Sequence, residues 1–242
     1  MPSLPPALVA AGLLAAAGTS LAAGPACKAE SPVTIVPVIE LYTSEGCSSC
    51  PPADRWLSTL KGSAANGRAV VQAFHVGYWD YIGWVDRFAN PAHTSRQRQL
   101  ASLNGLSSIY TPQLVRNGRD WRDYGGALGG GEAARVHIAL QKNEGDMFEA
   151  QVSPADGGGA WAAYWTVTEH AHSSKVKAGE NAGEYLQHDF VVRQYVPVGE
   201  YRGASRVTLR AIPAQAAHPR QVNLVVFEPK SGRPLQALSL GC

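Results

Sequence analysis

Residues 33–60 read VTIVPVIELYTSEGCSSCPPADRWLSTL, and this stretch decides the local fold. An apolar run predicts a β-strand, a short polar loop carries Cys47 and Cys50, and the following residues predict a helix. Proline is tolerated only in the first turn of a helix, so Pro51 and Pro52 set the helix start near Cys50. The sequence therefore predicts a cysteine pair between the end of a strand and the start of a helix.

This placement of Cys47 and Cys50 favours redox chemistry. Unpaired backbone N–H groups and the positive end of the helix dipole stabilise a thiolate, and only the thiolate attacks a disulfide. A strand that leads through such a pair into a helix is the thioredoxin arrangement. The same spacing also occurs in fixed structural disulfides and in zinc sites, although structural zinc usually needs a second pair of ligands. We expect Cys47 to lie nearer the surface and to attack, and Cys50 to resolve the mixed disulfide.

Length and composition exclude several classes of protein. The chain has 242 residues and a formal net charge of +2, with its Lys and Arg residues scattered, so we expect no binding to nucleic acid. Residues 8–21 form an uncharged apolar run that is too short to span a membrane, and residues 1–23 are predicted to be a signal peptide. An uncleaved short anchor is the alternative. We expect an exported protein, periplasmic or extracellular, with no stable membrane span after cleavage.

Two further cysteines, Cys27 and Cys242, lie near the ends of the mature chain. If Cys47 pairs with Cys50, a bridge between Cys27 and Cys242 is expected, because chain ends are often close in space. A lipid-modified Cys27 is the alternative. An exported protein resides in an oxidising compartment, where such disulfides persist.

Several residues around the cysteine pair are candidates for the site. Glu40 shares a face of its strand with apolar residues, and a carboxylate there is costly unless it has a partner or a task, such as taking a proton from Cys50. A second apolar strand over residues 69–76 leads into an aromatic loop. Because function gathers at the carboxyl ends of parallel strands, we expect His75, Tyr78 and Trp79 to line the same edge as the cysteines and to contact substrate.

The segment Tyr-Thr-Pro-Gln-Leu-Val-Arg-Asn-Gly at residues 110–118 predicts a turn, a short strand and an Asn-Gly hairpin. Pro112 suits a cis bond. We expect Pro112 to shape a substrate groove and the backbone of Thr111 to pair with an extended substrate. Beyond a glycine-rich stretch, seven short β-rich runs follow one another, which is typical of an antiparallel β-sandwich. Residues 179–183, Gly-Glu-Asn-Ala-Gly, predict a turn that contacts the first half of the chain.

Residues 40–54, 75–84 and 110–113 together resemble the DUF1223 family, a group of secreted bacterial thioredoxin-like proteins of unassigned function. The resemblance implies a thioredoxin-like fold, export, and Cys47 and Cys50 as the functional pair. It supplies no substrate. The intervening Ser48 and Ser49 differ from the Gly-Pro of thioredoxin itself, so reductant, oxidant and isomerase all stay open.

We therefore expect an α/β thioredoxin-like domain over residues 31–130, followed by an antiparallel β-sandwich-like domain over residues 131–242. The leading function is an exported thiol–disulfide oxidoreductase that acts on protein or small-molecule thiols and disulfides, with no cofactor and no metal. One alternative is a copper-binding module that uses Cys47, Cys50 and His75 as soft ligands. The other is a non-catalytic secreted interaction protein in which the pair is a structural disulfide.

Overall fold

The computed structural model describes Met1 and residues 27–155 and 158–242, so the predicted signal peptide lies, Met1 apart, outside the described residues. Strands make up 41% of the described residues and helices 16%. The strands are, in chain order, β1 Lys28–Glu30, β2 Val38–Thr43, β3 Val70–His75, β4 Gln113–Arg116, β5 Arg119–Asp120, β6 Val136–Lys142, β7 Met147–Pro154, β8 Trp161–Glu169, β9 His172–Lys175, β10 Tyr185–His188, β11 Val191–Tyr201, β12 Ser205–Arg210, β13 Arg220–Phe227 and β14 Pro234–Leu240.

The α-helices of the described residues lie before residue 104. They are α1 Cys50–Ser58, α2 Lys61–Ala65 and α3 Pro91–Leu103, with short 3₁₀ helices at Asp80–Ile82 and Tyr124–Gly126. None of the helices in the described part of the chain has the length and apolar character needed to cross a membrane.

The largest sheet has eight strands in the order β14-β13-β8-β11-β3-β2-β4-β5. It joins strands from both halves of the chain, because β11 pairs antiparallel with β8 and parallel with β3, where Val191 lies opposite Ala73. The expected fold, an α/β thioredoxin-like domain followed by a separate β-sandwich-like domain, is therefore wrong. Strands dominate, and one sheet continues from the first half into the second.

A four-stranded sheet, ordered β1-β6-β7-β12, packs against the β8-β13-β14 part of the large sheet. Alternation along the strands produces this contact, since every second residue of β6 is buried. Trp161 and Trp165 of β8 are fully buried at the centre of the resulting apolar cluster. Their large aromatic side chains supply much of the apolar area that holds the two sheets together.

The strand–helix–strand unit β2-α1-β3 determines where the cysteine loop lies. β2 and β3 are parallel, and their last residues, Thr43 and His75, lie side by side. Ile39 and Leu41 of β2 pack against Leu57 of α1, so odd-numbered residues of β2 face α1 and even-numbered ones face the opposite side. The carboxyl ends of the two strands therefore meet at one edge of the sheet, as the sequence predicts.

The predicted Asn-Gly hairpin is confirmed between β4 and β5. Asn117 and Gly118 both have positive φ, +49° and +75°, as the tight turn of a two-residue hairpin requires. A Cβ at Gly118 would collide with the carbonyl oxygen of Gly232, so only glycine fits there.

Helix α3 covers the face of the sheet opposite α1, and it does so with polar side chains. Arg96 donates two hydrogen bonds to Glu40, at 3.0 Å from Nε and 2.6 Å from Nη2. The Glu40 carboxylate also accepts hydrogen bonds from the hydroxyl groups of Tyr42 and Tyr164. Each buried charge is thus paired and hydrogen-bonded, which offsets the cost of removing both from water. His93 of the same helix is 2.9 Å from the carbonyl oxygen of His75 through Nδ1.

A disulfide joins Cys27 to Cys242, with 6.4 Å between their Cα atoms. It closes a loop of sequence separation 215, whereas the second disulfide, Cys47–Cys50, has a separation of only 3. By loop-closure entropy the long bridge stabilises the fold by about 5 kcal/mol and the short one by about 2 kcal/mol.

We expect the double substitution Cys27→Ser/Cys242→Ser to lower the free energy of unfolding by more than Cys47→Ser/Cys50→Ser does. The reason is that the long loop restricts the unfolded chain more. Urea unfolding under non-reducing conditions, with each variant compared with the parent protein, measures both losses. A larger loss from the Cys47→Ser/Cys50→Ser variant contradicts this ranking.

A second prediction concerns His93, which is buried. Burial lowers its pKa to about 4. Between pH 6.5 and 4 the unfolded chain binds a proton that the folded chain does not, so His93 costs stability as the pH falls through this window. The full cost is about 3 kcal/mol.

We expect His93→Gln to reduce the loss of stability between pH 7.5 and pH 4.5, because the glutamine amide can still donate to the carbonyl of His75 but does not titrate. Urea unfolding at both pH values gives the comparison. His137→Gln, at an exposed position, is the matched control. An equal loss in the parent protein and in His93→Gln is incompatible with a buried neutral His93.

Candidate functional site

The cysteine pair lies in the turn between β2 and α1 and is joined as a disulfide, with 5.4 Å between the Cα atoms. The N–H of Cys50 donates to the carbonyl of Cys47 at 3.2 Å, which tightens the turn. Cys47 is 1% exposed and Cys50 is fully buried, while Ser48 and Ser49 between them are exposed. The expectation that Cys47 lies nearer the surface is therefore not met, because only the intervening serines reach solvent.

The start of α1 offers few hydrogen-bond donors to a thiolate. A helix usually leaves four N–H groups unpaired at its first turn, here those of residues 49–52. Pro51 and Pro52 have no N–H, and the N–H of Cys50 is already used by Cys47. The side chain beside the sulfur of Cys47 is that of Ser49, with 3.4 Å between Sγ and Oγ. The expected stabilisation of a thiolate by free N–H groups is thus reduced by the prolines.

The turn at residues 179–183, which we call the cover, lies against the cysteine loop and contacts the first half of the chain as the sequence predicts. Asn181 Nδ2 donates to the carbonyl oxygens of Glu45, at 2.8 Å, and Cys47, at 3.0 Å. The carboxylate of Glu180 accepts the N–H of Ser48 at 3.0 Å. Asn181 is buried and Glu180 is exposed. Side-chain hydrogen bonds from these two residues therefore join the cover to the cysteine loop, and Gly179 packs against Ile82.

Two of the expected substrate-contacting residues lie beside the cysteine loop. Trp79 packs against Gly46, where an added Cβ would be 3.0 Å from the Cβ of Trp79. Trp79 Nε1 donates to the hydroxyl of Thr111 at 2.7 Å, and the bond from Thr111 to Pro112 is cis, as expected. Tyr78 lies in the same loop, and burial raises its pKa.

Pro112 lines an open cleft of about 340 Å³ next to this loop. Four of its lining residues besides Pro112 are Tyr110, Leu114, Trp121 and Tyr124. The ring of Tyr124 meets the ring of Trp56 of α1 edge-on, at 4.7 Å between centroids. The cleft is thus lined mainly by aromatic and apolar side chains together with Arg122, and it lies against the helix that begins with Cys50.

Glu40 is not brought to the disulfide. It is an even-numbered residue of β2 and faces Arg96 of α3, on the opposite side of the sheet from α1. The carboxylate on the cysteine side is Asp54, which accepts a hydrogen bond from the hydroxyl of Thr43 at 2.7 Å. Asp54 follows Cys50 by four residues, so the helical period was a usable signal for it.

His75 lies at the site but is fully buried, so it does not form part of an open substrate surface. Its Nδ1 is 2.7 Å from a carboxylate oxygen of Asp86. His188, the last residue of β10, lies against His75 with 4.9 Å between ring centroids. Nothing in the local sequence pointed to His188 or Asp86 as neighbours of His75, because three separate segments supply these side chains.

The protonation states of this cluster follow from its charges. Burial alone would lower the pKa of His188, but Asp54 and Glu45 outweigh it and raise the pKa to about 9. Burial raises the pKa of Glu45, and the charged contact with His188 at 3.2 Å more than reverses this, so the net shift is downward. His75 likewise holds the pKa of Asp86 below its usual value against the effect of burial. The cluster therefore holds ionised carboxylates away from water.

The site thus combines a disulfide with a buried group of histidines and carboxylates next to it. Asp54, His75 and His188 could hold a metal ion, since one ligand atom from each lies within 4.8 Å of the others.

Comparison with solved structures identifies two similar chains. The crystal structure of protein AGR_C_4864 from Agrobacterium tumefaciens is 27% identical, covers 85% of this chain and 94% of its own, and superimposes with a TM-score of 0.64. HBP35 of Porphyromonas gingivalis is 15% identical, with 86% and 76% covered and a TM-score of 0.56, which is a likeness of fold alone. No curated protein matches the chain.

The family model described as "Protein of unknown function (DUF1223)" matches residues 38–228. The match includes the cysteine loop, His75, the Thr111–Pro112 bond, the covering turn and His188. It therefore spans most of the described chain and confirms the resemblance drawn from the sequence. The chain belongs to the DUF1223 family.

Proposed function

We propose that this protein is an exported thiol–disulfide oxidoreductase that works through Cys47 and Cys50. The observation that carries the proposal is the disulfide between these residues at the start of α1. A loop this short stabilises the fold little, and the Cys27–Cys242 bridge already restrains the whole chain. A disulfide that contributes little to stability is better explained by chemistry than by structure.

Export is the second part of the proposal. An apolar run at residues 8–21 and a bridge between Cys27 and Cys242 both fit an oxidising compartment outside the cytoplasm, where disulfides persist.

The proposed reaction transfers two electrons between a substrate dithiol and the protein. A substrate thiolate attacks one sulfur of the pair, the Cys47–Cys50 bond breaks, and a mixed disulfide forms while the other cysteine leaves as a thiolate. The second substrate thiolate then attacks the mixed disulfide. The substrate is released as a disulfide, and the protein keeps both electrons as a dithiol. In the reverse direction Cys47 attacks a substrate disulfide and Cys50 resolves the intermediate.

Access to the sulfurs requires the 179–183 turn to move away. Its side-chain contacts with the cysteine loop are those of Asn181 and Glu180. Hydrogen bonds of this kind stabilise by about 1 kcal/mol each, so opening is a modest cost. Trp79 contacts both the cysteine loop and Thr111, which precedes Pro112 of the cleft, and this supports substrate binding on that side of the disulfide.

Trapping of mixed disulfides tests the proposal. We expect Cys50→Ser to retain a mixed disulfide on Cys47 after reaction with an activated small disulfide or an oxidised model protein. We expect Cys47→Ser to retain much less, because Cys50 is held as the first residue of α1 whereas Cys47 lies in the loop ahead of it. Mass spectrometry of the unreduced protein measures both. The variant Cys27→Ser/Cys242→Ser, which keeps the active pair, is the control and should exchange like the parent protein.

Equal trapping in the two single variants contradicts the roles assigned to Cys47 and Cys50. A pair that dithiothreitol cannot reduce in the folded protein contradicts the proposed function itself and favours a structural disulfide. A redox titration of the pair then sets the direction of electron flow, since about 30 mV corresponds to about 1.4 kcal/mol for two electrons.

A further prediction concerns the cover. Asn181→Ala removes both hydrogen bonds from the Asn181 side chain to the cysteine loop, so we expect the disulfide to be reduced roughly 30-fold faster by dithiothreitol, as a loss of about 2 kcal/mol implies. Release of thiols under native conditions gives the rate. Asn66→Ala, an exposed asparagine at the end of α2, is the matched control. An unchanged rate in Asn181→Ala means that the turn does not limit access.

A further inference from the structure

Three buried side chains from separate elements converge next to the disulfide. Asp54 comes from α1, His75 ends β3 and His188 ends β10, with exposed fractions of 7%, 0% and 3%. One ligand atom from each lies within 4.8 Å of the others. Oδ1 of Asp54 is 3.8 Å from Nδ1 of His188.

Buried polar atoms in this cluster have no hydrogen-bond partner in the described part of the chain. They are Nε2 of His75, both ring nitrogens of His188 and Oε1 of Glu45. A buried polar group left without a partner costs about 1–3 kcal/mol, and such groups are rare in native proteins. Two histidines with unpaired nitrogens at one point therefore indicate that something else binds there.

Each histidine has a carboxylate at its outer nitrogen. Asp86 lies 2.7 Å from Nδ1 of His75, and is itself fixed by the N–H groups of Glu45 and Phe88. Glu45 Oε1 lies 3.2 Å from Nε2 of His188, without the alignment of a hydrogen bond. A carboxylate behind each imidazole is the second shell that metal-binding histidines have, because it fixes the tautomer and directs the other nitrogen's lone pair at the metal.

The negative charges of the cluster also favour the binding of a cation. Glu45, Asp54 and Asp86 are all buried, and within the described residues their ion pairs are with His75 and His188 alone. Hydroxyl, indole and backbone donors stabilise single oxygens, as Thr43 does for Asp54 and Trp84 for Glu45. The three buried carboxylates thus share two imidazoles as their partners, and a divalent ion bound between them adds positive charge that offsets the cost of burial.

The geometry points to a binding site for a divalent transition metal of the zinc class, held by Asp54, His75 and His188. Two imidazoles and one carboxylate are a ligand set of zinc enzymes and of non-haem iron sites. Zinc–ligand bonds of about 2.0–2.1 Å bring tetrahedral ligand atoms to about 3.4 Å from one another, so the side chains must close in by up to about 1.4 Å. Side-chain rotation covers that distance. Because no sulfur is a ligand, the site exists with the disulfide formed and does not depend on the redox function.

Titration of the chelator-treated protein with Co²⁺ and Zn²⁺, with the disulfide intact, tests this site. We expect one equivalent to bind per chain, and the visible Co²⁺ spectrum to show nitrogen and oxygen ligands without a sulfur charge-transfer band. We expect His75→Gln and His188→Gln each to weaken Zn²⁺ binding by more than about 100-fold, since a lost ligand costs more than the 10–100-fold typical of a second-shell change. His137→Gln, at an exposed position, should bind like the parent protein.

Asp86→Asn keeps all three ligands and is the alternative test if a histidine variant fails to fold. We expect it to weaken Zn²⁺ binding by about 10–100-fold. The site is overturned by the absence of stoichiometric binding, by binding that survives both His75→Gln and His188→Gln, or by a sulfur-ligated spectrum. A protein that binds no metal can still exchange thiols through Cys47 and Cys50. A protein that exchanges no thiols can still be titrated with metal, so the two proposals are tested separately.

Discussion

Parallel pairing of β2 with β3 is the constraint on which the rest of the site depends. It puts Thr43 beside His75 at one edge of the sheet, so the loops that follow both strands leave in the same direction. Helix α1 must cross back over the sheet to connect them, and this carries Asp54 to the hydroxyl of Thr43. An antiparallel pairing would have sent the cysteine loop and the aromatic loop to opposite edges.

The second half of the chain supplies further side chains to the site at the carboxyl ends of β2 and β3. β11 joins the large sheet beside β3, and β10 and the 179–183 turn, which precede it in the chain, deliver His188 and Asn181 to the disulfide. The buried carboxylates and the covered sulfurs therefore exist only when both halves are folded together. Accordingly, strands β2 to β5 share one sheet with β8, β11, β13 and β14, and β1 pairs with β6 in the four-stranded sheet.

The sequence predicts the local secondary structure but not the contacts between segments that are far apart in the chain. The strand–loop–helix around Cys47, the Asn117–Gly118 hairpin and seven strands of the second half follow from periodicity and turn residues, whereas the short strands β9 and β10 were not predicted. The continuous sheet was missed because a parallel contact between β11 and β3 leaves no local pattern. Glu40 was recognised as a buried carboxylate, but periodicity alone does not say which face of β2 meets α1. Asp54 could have been found from its helical spacing to Cys50, whereas His188 could not.

The bridge between Cys27 and Cys242 makes the oxidised chain a covalent ring of nearly all the described residues. A single peptide-bond cleavage inside that ring opens it without releasing a fragment, so the two pieces stay tethered and can keep their shared sheet. Backbone damage at one exposed loop is thus survivable for the molecule, a property suited to surroundings that contain proteases.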